Sequence, residues 1–392
     1  MNELGANPQI SSLLDEAIAA GDFPSAVYAV AEEGRVRFAD ARGFAVHDES
    51  GKIQPQSATL ETIYDLASLT KPLVAGLLCA RRAEGGQLDF DAPVAAYLSE
   101  FARADKRSLT VRQLLTHTSG LPAWRPLYIT TNGKREETLA SIAAEPLEYE
   151  PGARVVYSDL GFITLGFLLE KITEARLAEI AQDEIFQPLK LHRTFFNPGE
   201  AFLTDIAASE SKGNAYEREM CGESWGAGEY KRWRESLIWG EVHDGNAHFL
   251  GGAAGHAGLF STAGETLKVA KQFISAQTSL LLPQTCALFR QNMTPDLNEA
   301  RSLAWQLAAT ESSTAGDDLP PDAFGHTGFA GTSCWVDPER ERIFILLTNR
   351  THNRALPFAN INAVRRRFHS TAARALDELA DSTTANACRE AI

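Results

Sequence analysis

The sequence predicts an α/β fold whose sheet is built from the two ends of the chain. Two β-prone runs surround a Glu-Glu-Gly turn at residues 25–43, and three further β-rich runs lie between 302 and 349. From about 80 to 250, helical patterns and polar loops dominate. We therefore predict a discontinuous α/β domain, residues 1–79 and 251–392, interrupted by a mainly helical inserted domain, residues 80–250.

Helical periodicity identifies the remaining elements in chain order. Residues 8–20 place their apolar side chains on one face, which is typical of an amphipathic helix, and a second helix is expected to begin near Ser68. Further helices are expected in these segments: "TVRQLLTHTSGLP", "LGFITLGFLLEKIT", "RLAEIAQDEIFQPL" and, last, "INAVRRRFHSTAARALDELA". Strands are expected in "SLAWQLA", "TSCWVDP" and "RIFILLTN".

Composition and charge exclude several classes of partner. The chain has 392 residues, of which 44% are hydrophobic and 22% charged, as in ordinary globular proteins. A net charge of -14 gives no electrostatic reason to expect a nucleic acid or an anionic membrane. Apolar runs stay well short of the roughly 18 residues of a membrane span. We expect a small-molecule partner and leave the oligomeric state open.

Targeting signals and cysteines both indicate a cytoplasmic protein. The first 26 residues lack a basic region followed by an apolar core, so no secretory signal is predicted. A leader removed from the natural chain would instead make the protein periplasmic. The five cysteines are scattered without a Cys-x-x-Cys pair, which favours reduced thiols over disulfides or a zinc site.

Ser68 and Lys71 open an apolar run, "ASLTKPLVAGLLCA" at residues 67–80. Three positions apart on a helix, their side chains share a face. Burial lowers the pKa of a lysine, so we expect a neutral amine able to take the proton of the Ser68 hydroxyl. The helix N-terminus also offers a backbone N–H to an oxyanion. A second such pair, Ser209 and Lys212, lies in a polar loop without a following helix and is interpreted as chance.

Two further motifs accompany this pair. Tyr-Ser-Asp at residues 157–159 precedes a predicted helix, and its tyrosine could be either functional or simply packed. His-Thr-Gly at residues 326–328 leads into a late strand. Glycines recur there at Gly325, Gly328 and Gly331, which indicates either close approach of a ligand or an edge strand rich in bulges.

The three motifs, in this order and with long gaps, resemble those of the serine penicillin-recognising hydrolases. The resemblance is to the branch of class C β-lactamases, low-mass penicillin-binding proteins and family VIII carboxylesterases, and it covers most of the chain. It implies a β-lactamase/transpeptidase-like fold: a three-layer sandwich with an antiparallel sheet flanked by helices, plus the inserted helical domain. The active site would lie in the cleft between the domains.

The resemblance implies a role for each matching residue. Ser68 corresponds to the acylated nucleophile, and Lys71 to its partner in proton removal. Tyr157 corresponds to the tyrosine that carries a proton between nucleophile and leaving group. The backbone N–H groups of Ser68 and Phe329 would form the oxyanion hole. Neither a metal nor an organic cofactor is implied.

Two positions depart from the usual family pattern. Asp159 stands where Asn is common, and an ionised carboxylate only accepts hydrogen bonds. His326 stands where β-lactamases have Lys, and it is mostly neutral at pH 7. Both changes remove positive or donor character, so we expect substrates without an obligatory carboxylate, such as esters. The residues expected to contact the substrate are Asp159, His326, Thr327, Gly328 and His243.

The loop at residues 239–261 raises a metal hypothesis. His243, Asp244 and His248 could act as ligands, but the spacing matches no helical zinc motif and no Glu follows as a general base. The loop resembles one that borders the active site in some low-mass penicillin-binding-protein relatives. It could also be structural, and we expect no metal.

Two rival functions remain. Ser224 in "GESWG" fits the Gly-x-Ser-x-Gly pattern of α/β-hydrolases, but polar segments flank it where a buried strand and a helix are required. A penicillin-binding receptor or pseudoenzyme that acylates without turnover would use the same residues as an enzyme. The sequence favours a serine hydrolase acting through a Ser68 acyl-enzyme, first a carboxylesterase on small acyl esters, then a D-amino-acid peptidase, DD-carboxypeptidase or amidase, then a β-lactamase.

Overall fold

The structure, a computed structural model, describes residues 5–47, 51 and 53–390, the last eight as backbone only. The helices are α1 Pro8–Ala20, α2 Leu77–Glu84, α3 Val111–Leu115, α4 Leu127–Thr130, α5 Thr138–Ala144, α6 Asp159–Thr173, α7 Leu177–Ala181, α8 Ala215–Cys221, α9 Gly245–Phe249, α10 Ala263–Ala270, α11 Pro283–Leu288 and α12 Asn362–Glu390. The strands are β1 Ser25–Glu32, β2 Arg35–Val46, β3 Gln56–Ser57, β4 Tyr64–Asp65, β5 Phe195–Phe196, β6 Leu259–Ser261, β7 Gln306–Leu307, β8 Phe324–Thr327, β9 Ser333–Asp337 and β10 Arg342–Thr348.

The main sheet joins the two ends of the chain, as the sequence predicted. Its order is β3-β2-β1-β10-β9-β8-β7, and its named strands pair antiparallel. The N-terminal hairpin meets the C-terminal strands along β1 and β10, where Ala26 lies opposite Thr348. The hairpin turns tightly because Glu33 and Gly34 both adopt positive φ, 50° and 75°. A smaller sheet has the order β4-β6-β5.

The main sheet separates two apolar cores and so forms the middle layer of a sandwich. Along β10, Phe344 and Leu346 face one core, whereas Ile343, Ile345 and Leu347 face the other, since side chains alternate across a strand. Helices α1 and α12 cover the first face. Helices α2, α6 and α10 contribute to the larger core on the second face. The predicted three-layer architecture is confirmed, and the domain boundaries at 79/80 and 250/251 stay a prediction.

Several expected elements are shorter or differently built than predicted. The run "SLAWQLA" forms only the two residues of β7, because Ala304 has φ 64°, outside the β region. The predicted helix over residues 110–122 ends at Leu115, and His117 already has φ 60°. No helix in the described part of the chain is long and apolar enough to cross a membrane.

The helix expected to begin at Ser68 is not a regular α-helix there. A 3₁₀ turn, Ala67–Leu69, is followed by a π-helical turn, Lys71–Gly76, and only then by α2. Pro72 has no N–H to donate to the carbonyl four residues earlier, so a regular α-helical ladder cannot form across this junction. The serine and the lysine therefore sit in an irregular segment, a form often found at functional sites.

The α/β-hydrolase alternative is wrong. Ser224 lies exposed in a 3₁₀ turn, Glu223–Trp225, directly after α8, and a nucleophile elbow needs a buried strand at that place. Cys79, Cys221, Cys286 and Cys334 are free thiols, as predicted. Cys388 lies outside the described side chains.

Candidate active site

A strained turn presents Ser68 at the end of β4. Ala67, the residue before it, has φ 48°, a left-handed conformation that costs a non-glycine residue about 1–2 kcal/mol. Three hydrogen bonds hold this turn. Asp65 accepts from the N–H groups of Ala67 and His243, both at 2.8 Å, and the Thr70 hydroxyl donates to the carbonyl of Ala67 at 2.6 Å. The turn is thus fixed from both ends, and Ser68 lines a cavity.

Lys71 is fully buried, and three oxygen atoms lie around its amine. Nζ lies 3.0 Å from Ser68 Oγ, 3.1 Å from the carbonyl oxygen of His256 and 2.7 Å from Asp159 Oδ1. It also lies 4.8 Å from the centre of the Tyr157 ring. Three acceptors around one nitrogen suit an ammonium group, which has three protons to donate.

The protonation state expected for Lys71 is wrong. Burial alone would lower its pKa, as the sequence suggested, but the charge of Asp159, together with the neighbouring Tyr157 hydroxyl, outweighs burial, so the pKa is raised. Lys71 is therefore an ammonium in the resting site. The raised pKa of Lys71 depends on Asp159, which stands at the position where the resemblance implies that Asn is common.

Tyr157 remains a neutral phenol in the resting site. Burial raises the pKa of its hydroxyl, and the neighbouring charge of Lys71 only partly offsets that effect. Its ring centre lies 4.8 Å from Lys71 Nζ, and Lys71 and Ser68 each lower the pKa of its hydroxyl. Ser158 caps α6 by accepting from the N–H of Gly161 at 3.3 Å, which fixes the segment that carries Tyr157.

His117 supports Tyr157 and was missed by the sequence analysis. Its ring packs against Tyr157 and Phe162, with centroids 4.6 and 5.0 Å apart. Its Nδ1 accepts from the N–H of Ser158 at 3.0 Å, so that nitrogen carries no proton. Burial, then the charges of Arg301 and Lys71, hold its pKa well below its ordinary value. The sequence placed His117 inside the predicted helix over residues 110–122, so no motif marked it as part of the site.

His326 lies on β8 behind Tyr157, with ring centroids 5.8 Å apart. Its Nδ1 lies 2.8 Å from the carbonyl oxygen of Thr327, to which it donates. Burial, then Lys71 and Arg301, lower its pKa well below the ordinary value, so the imidazole is neutral at pH 7. It is only 5% exposed and is not among the side chains that line the cavity. Its contact with a substrate therefore stays a prediction.

The cavity beside Ser68 has a volume of about 500 Å³. It brings together most of the residues that the sequence analysis singled out. The predicted residues on its wall are Ser68, Tyr157, Asp159, His243, Thr327, Gly328 and Phe329. Lys71 lies behind this wall, where water reaches it poorly.

The loop after β8 rests directly on the turn that carries Ser68. A side chain at Gly328 would collide with Thr332 Oγ1 and the carbonyl oxygen of Leu66. The hydroxyl of Thr332 donates to that same carbonyl at 3.0 Å, which ties the loop to the turn. Gly328 is thus required by close approach of backbone to backbone. At Gly325 the space is filled by the indole of Trp335, and no ligand is needed to explain that glycine.

Three arginines line the cavity, which corrects the expectation that it lacks positive character. Arg301 is paired with Glu299, its Nε and Nη2 lying 2.9 and 2.7 Å from Oε2. Arg350 bonds to backbone carbonyls, and Arg365 to backbone carbonyls and the Asn362 side chain. Position 326 alone does not reveal this positive character, because the charges come from distant segments of the chain.

The three possible metal ligands that the sequence suggested, His243, Asp244 and His248, do not converge on one point. His243 Nε2 lies 2.9 Å from Glu210 Oε2, and the His243 ring stacks on Phe329 at 5.5 Å. His248 pairs instead with Glu241 at 3.0 Å, half exposed. The metal hypothesis for His243, Asp244 and His248, which the sequence did not favour, is therefore not supported by their positions.

A different cluster could hold a cation: Asp159, Asp244 and His256, whose ligand atoms lie within 4.8 Å of one another. The ammonium of Lys71 already contacts two of these residues, at Asp159 Oδ1 and at the backbone carbonyl of His256. Asp244 accepts from His256 Nε2 at 2.8 Å. Burial alone would raise the pKa of Asp244, but His256 and Lys71 lower it overall. The positive charge that balances these carboxylates is thus supplied by the protein itself, through the Lys71 ammonium.

Comparison with known proteins decides the family. The family profile described as beta-lactamase matches residues 10–366. The chain belongs to the beta-lactamase family. It is 30% identical over 355 residues to the "Putative D-alanyl-D-alanine carboxypeptidase" of Escherichia coli (strain K12), covering 84% of this chain and 79% of that protein. It is also 30% identical over 367 residues to the N-acetylmuramyl-L-alanine amidase of Bacillus subtilis (strain 168), covering 88% and 81%.

Solved structures support the beta-lactamase fold. EstCE1, described as a hydrolase with promiscuous acyltransferase activity, superposes with a TM-score of 0.69 at 22% identity, covering 92% of this chain and 97% of that one. At such identity the likeness concerns the fold. Together with the family, it confirms the resemblance drawn from the three motifs. The protein is a serine hydrolase of the beta-lactamase family, whose members act on small acyl substrates.

Proposed function

We propose that this protein is a carboxylesterase that hydrolyses small acyl esters through an acyl-enzyme on Ser68. The observation that carries the proposal is the 3.0 Å contact between Ser68 Oγ and the buried Nζ of Lys71, on the wall of a cavity large enough for a small substrate. Tyr157 lies beside this pair, with its ring centre 4.8 Å from Nζ of Lys71. A hydroxyl becomes a useful nucleophile only when such a neighbour takes its proton.

The proton acceptor in this proposal is the Lys71–Tyr157 pair after it has lost one proton. Ser68 gives its proton to this pair as Oγ attacks the acyl carbon, and the carbonyl oxygen becomes an oxyanion held by the N–H groups of Ser68 and Phe329. The pair then returns the proton to the departing alkoxide. Water repeats the sequence on the acyl-enzyme and releases the acid. Because the pKa of each partner is raised, activity should increase with pH.

We rank esters first among the possible substrates because their hydrolysis requires the least proton transfer from the enzyme's proton donor. An alkoxide departs more readily than an amine anion, so an ester needs less proton transfer in the transition state than an amide does. The two proton donors here, a phenol and a buried ammonium, have raised pKa values and are weak acids. Ester hydrolysis is therefore the minimum activity expected of this site.

A D-amino-acid peptidase, DD-carboxypeptidase or amidase is the second candidate, and the cavity arginines favour it. Within the described residues, neither Arg350 nor Arg365 pairs with a carboxylate, and this available positive charge suits a substrate with a free carboxylate. The names of the Escherichia coli and Bacillus subtilis relatives point the same way. β-Lactam hydrolysis ranks third, and a receptor that acylates without turnover is a further outcome of the test below.

The deciding experiment is a substrate panel with matched serine variants. It combines nitrophenyl esters of graded acyl length, D-alanyl peptides and a chromogenic cephalosporin. We expect Ser68→Ala to abolish every turnover, and Ser224→Ala, in an exposed turn, to leave turnover largely intact. A fluorophosphonate adduct on the peptide carrying Ser68 supports the proposal. An adduct elsewhere overturns it, and acylation without release identifies a receptor.

A further inference from the structure

The peptide unit between Gly328 and Phe329 has two relevant ends. One is a proposed hydrogen-bond donor to the oxyanion, and the other is a carbonyl that the buried guanidinium of Arg365 binds. The N–H of Phe329 is the proposed donor, and the carbonyl of Gly328 is the other end of the same peptide. Nη2 of Arg365 donates to that carbonyl at 2.7 Å and to the carbonyl of Thr332 at 3.0 Å. In the described part of the chain, no backbone or side-chain group accepts from the N–H of Phe329.

We propose that Arg365 is a positioning residue that polarises the Gly328–Phe329 peptide and so strengthens the oxyanion hole. The inference rests on the proposed acyl-enzyme function. A peptide bond is conjugated, so a positive donor at its oxygen withdraws electron density from nitrogen and makes the N–H a better donor. Hydrogen bonds from charged donors are about twice as strong as neutral ones, and burial increases the effect.

The charge of Arg365 is what requires an explanation. The residue is only 5% exposed, and its guanidinium bonds to two carbonyls and to Asn362 Oδ1 at 2.9 Å, none of which is a carboxylate. Burial lowers its pKa to about 9, so it stays charged at pH 7. A buried charge without a counterion is costly. A neutral side chain could anchor the loop without that cost, but it could not polarise the peptide as strongly.

Arg350 offers a matched comparison one peptide further on. Its Nε and Nη2 donate to the carbonyl of Phe329 at 3.0 and 2.7 Å, and its guanidinium lies 4.8 Å from the Phe329 ring. It anchors the same loop with the same chemistry. However, the peptide that it polarises carries the N–H of Ala330, not that of Phe329. Variants of the two arginines therefore distinguish two effects. Both residues anchor the loop, but only Arg365 strengthens the Phe329 N–H as a donor.

The test compares Arg365→Gln, Arg365→Lys and Arg350→Gln in the full-length protein with a neutral nitrophenyl ester. For Arg365→Gln we expect kcat to fall about three- to tenfold with KM nearly unchanged, because the donor acts mainly on the oxyanion. Inhibition by a trifluoromethyl ketone, which forms a tetrahedral oxyanion on serine, should weaken by a similar factor. Arg365→Lys keeps a charge and should recover part of both losses.

A spectroscopic measurement distinguishes polarisation from loss of structure. The infrared carbonyl stretch of a trapped acyl-enzyme should move to higher frequency in Arg365→Gln, because the acyl oxygen is held less strongly, and stay in place in Arg350→Gln. Equal shifts in both variants, or none in a folded Arg365→Gln protein, overturn the inference. If Arg365→Gln does not fold, Arg365→Lys replaces it in this measurement. A smaller shift to higher frequency that Arg350→Gln lacks then supports the inference, and no shift overturns it. Absence of any Ser68 adduct in the unmodified protein instead refutes the underlying function.

Discussion

Nζ of Lys71 lies 2.7 Å from Oδ1 of Asp159, closer than it lies to the hydroxyl of Ser68. The carboxylate, 88 positions away in the chain, is the main reason that the pKa of this buried lysine is raised and not lowered. The charge state of the proposed proton acceptor is therefore set at a position where the family more often has an amide.

Asp159→Asn should move the pH dependence of activity to lower pH. An asparagine removes the charge that favours the ammonium, so the pKa of Lys71 falls and the Lys71–Tyr157 pair loses its proton earlier. We expect the rising limb of kcat/KM to move down by one pH unit or more, since an opposite charge at this distance shifts a pKa by about 1–3 units. Asp244→Asn is the control, because Asp244 bonds to His256 and should cause a smaller shift. A rising limb that stays in place or moves to higher pH contradicts the mechanism.

The sequence predicted most of the fold because its signals are local. Two β-prone runs around a turn identified the hairpin, a short β-rich run identified β10, and the helical repeat identified α1 and α6. The order of the three motifs then predicted the family. Irregular backbone was not predictable. An alanine gives no sign of the φ of 48° at Ala67, which is imposed by a hydrogen bond from its N–H to Asp65 and one to its carbonyl from Thr70.

The electrostatics of the site could not be predicted from the motifs, since they arise between distant segments. The Ser-x-x-Lys pattern correctly indicated that the lysine is buried, but its charge depends on Asp159. Similarly, the loss of a lysine at position 326 suggested a cavity without positive character. The cavity gains that character from Arg350, after the last strand, and from Arg365, in the last helix.

Chelation should leave activity unchanged. The cluster of Asp159, Asp244 and His256 has ligand atoms within 4.8 Å of one another, yet Lys71 Nζ already occupies the contact with Asp159. We expect dialysis against EDTA to alter kcat/KM for a nitrophenyl ester by less than the experimental error, with a zinc hydrolase treated in parallel as the control. Activity lost on chelation and restored by zinc would show that a metal, not the ammonium, is needed.

His326→Gln should reduce activity on a neutral ester only moderately. Loss of a general base lowers the rate about 10²- to 10⁴-fold. The His326 ring packs near Tyr157 and its Nδ1 donates to the carbonyl of Thr327, not to Ser68, so we expect a smaller loss. His326→Lys should not create a carboxylate site, because Lys71 and Arg301 oppose a further charge there. We expect it to lower the melting temperature instead. If His326→Gln were as damaging as Ser68→Ala, the histidine would be the base and the Lys71–Tyr157 mechanism would be wrong.

The last prediction concerns Glu217, a buried residue of α8 on the cavity wall. Its carboxyl accepts from the N–H of Gly245 at 2.6 Å and from the hydroxyl of Tyr128 at 2.9 Å. Burial, then the charge of Asp244, raises its pKa from 4.5 to about 7. The folded state thus keeps a proton that the unfolded state releases near pH 4.5. The stabilisation that results is complete below pH 4.5 and is lost as the pH rises through 7.

Glu217→Gln should therefore make the protein more stable at pH 8 while changing little at pH 4.5. The amide cannot ionise, and its oxygen can still accept from Gly245 while its NH₂ donates to the oxygen of Tyr128. A pKa raised from 4.5 to about 7 corresponds to about 3 kcal/mol, which sets the largest gain expected at pH 8. Urea unfolding at the two pH values measures it, with Glu219→Gln, exposed on the same helix, as a control without pH-dependent change. A variant less stable than the original protein at pH 8 would mean that the ionised carboxylate stabilises the fold, because its two donors then outweigh its burial.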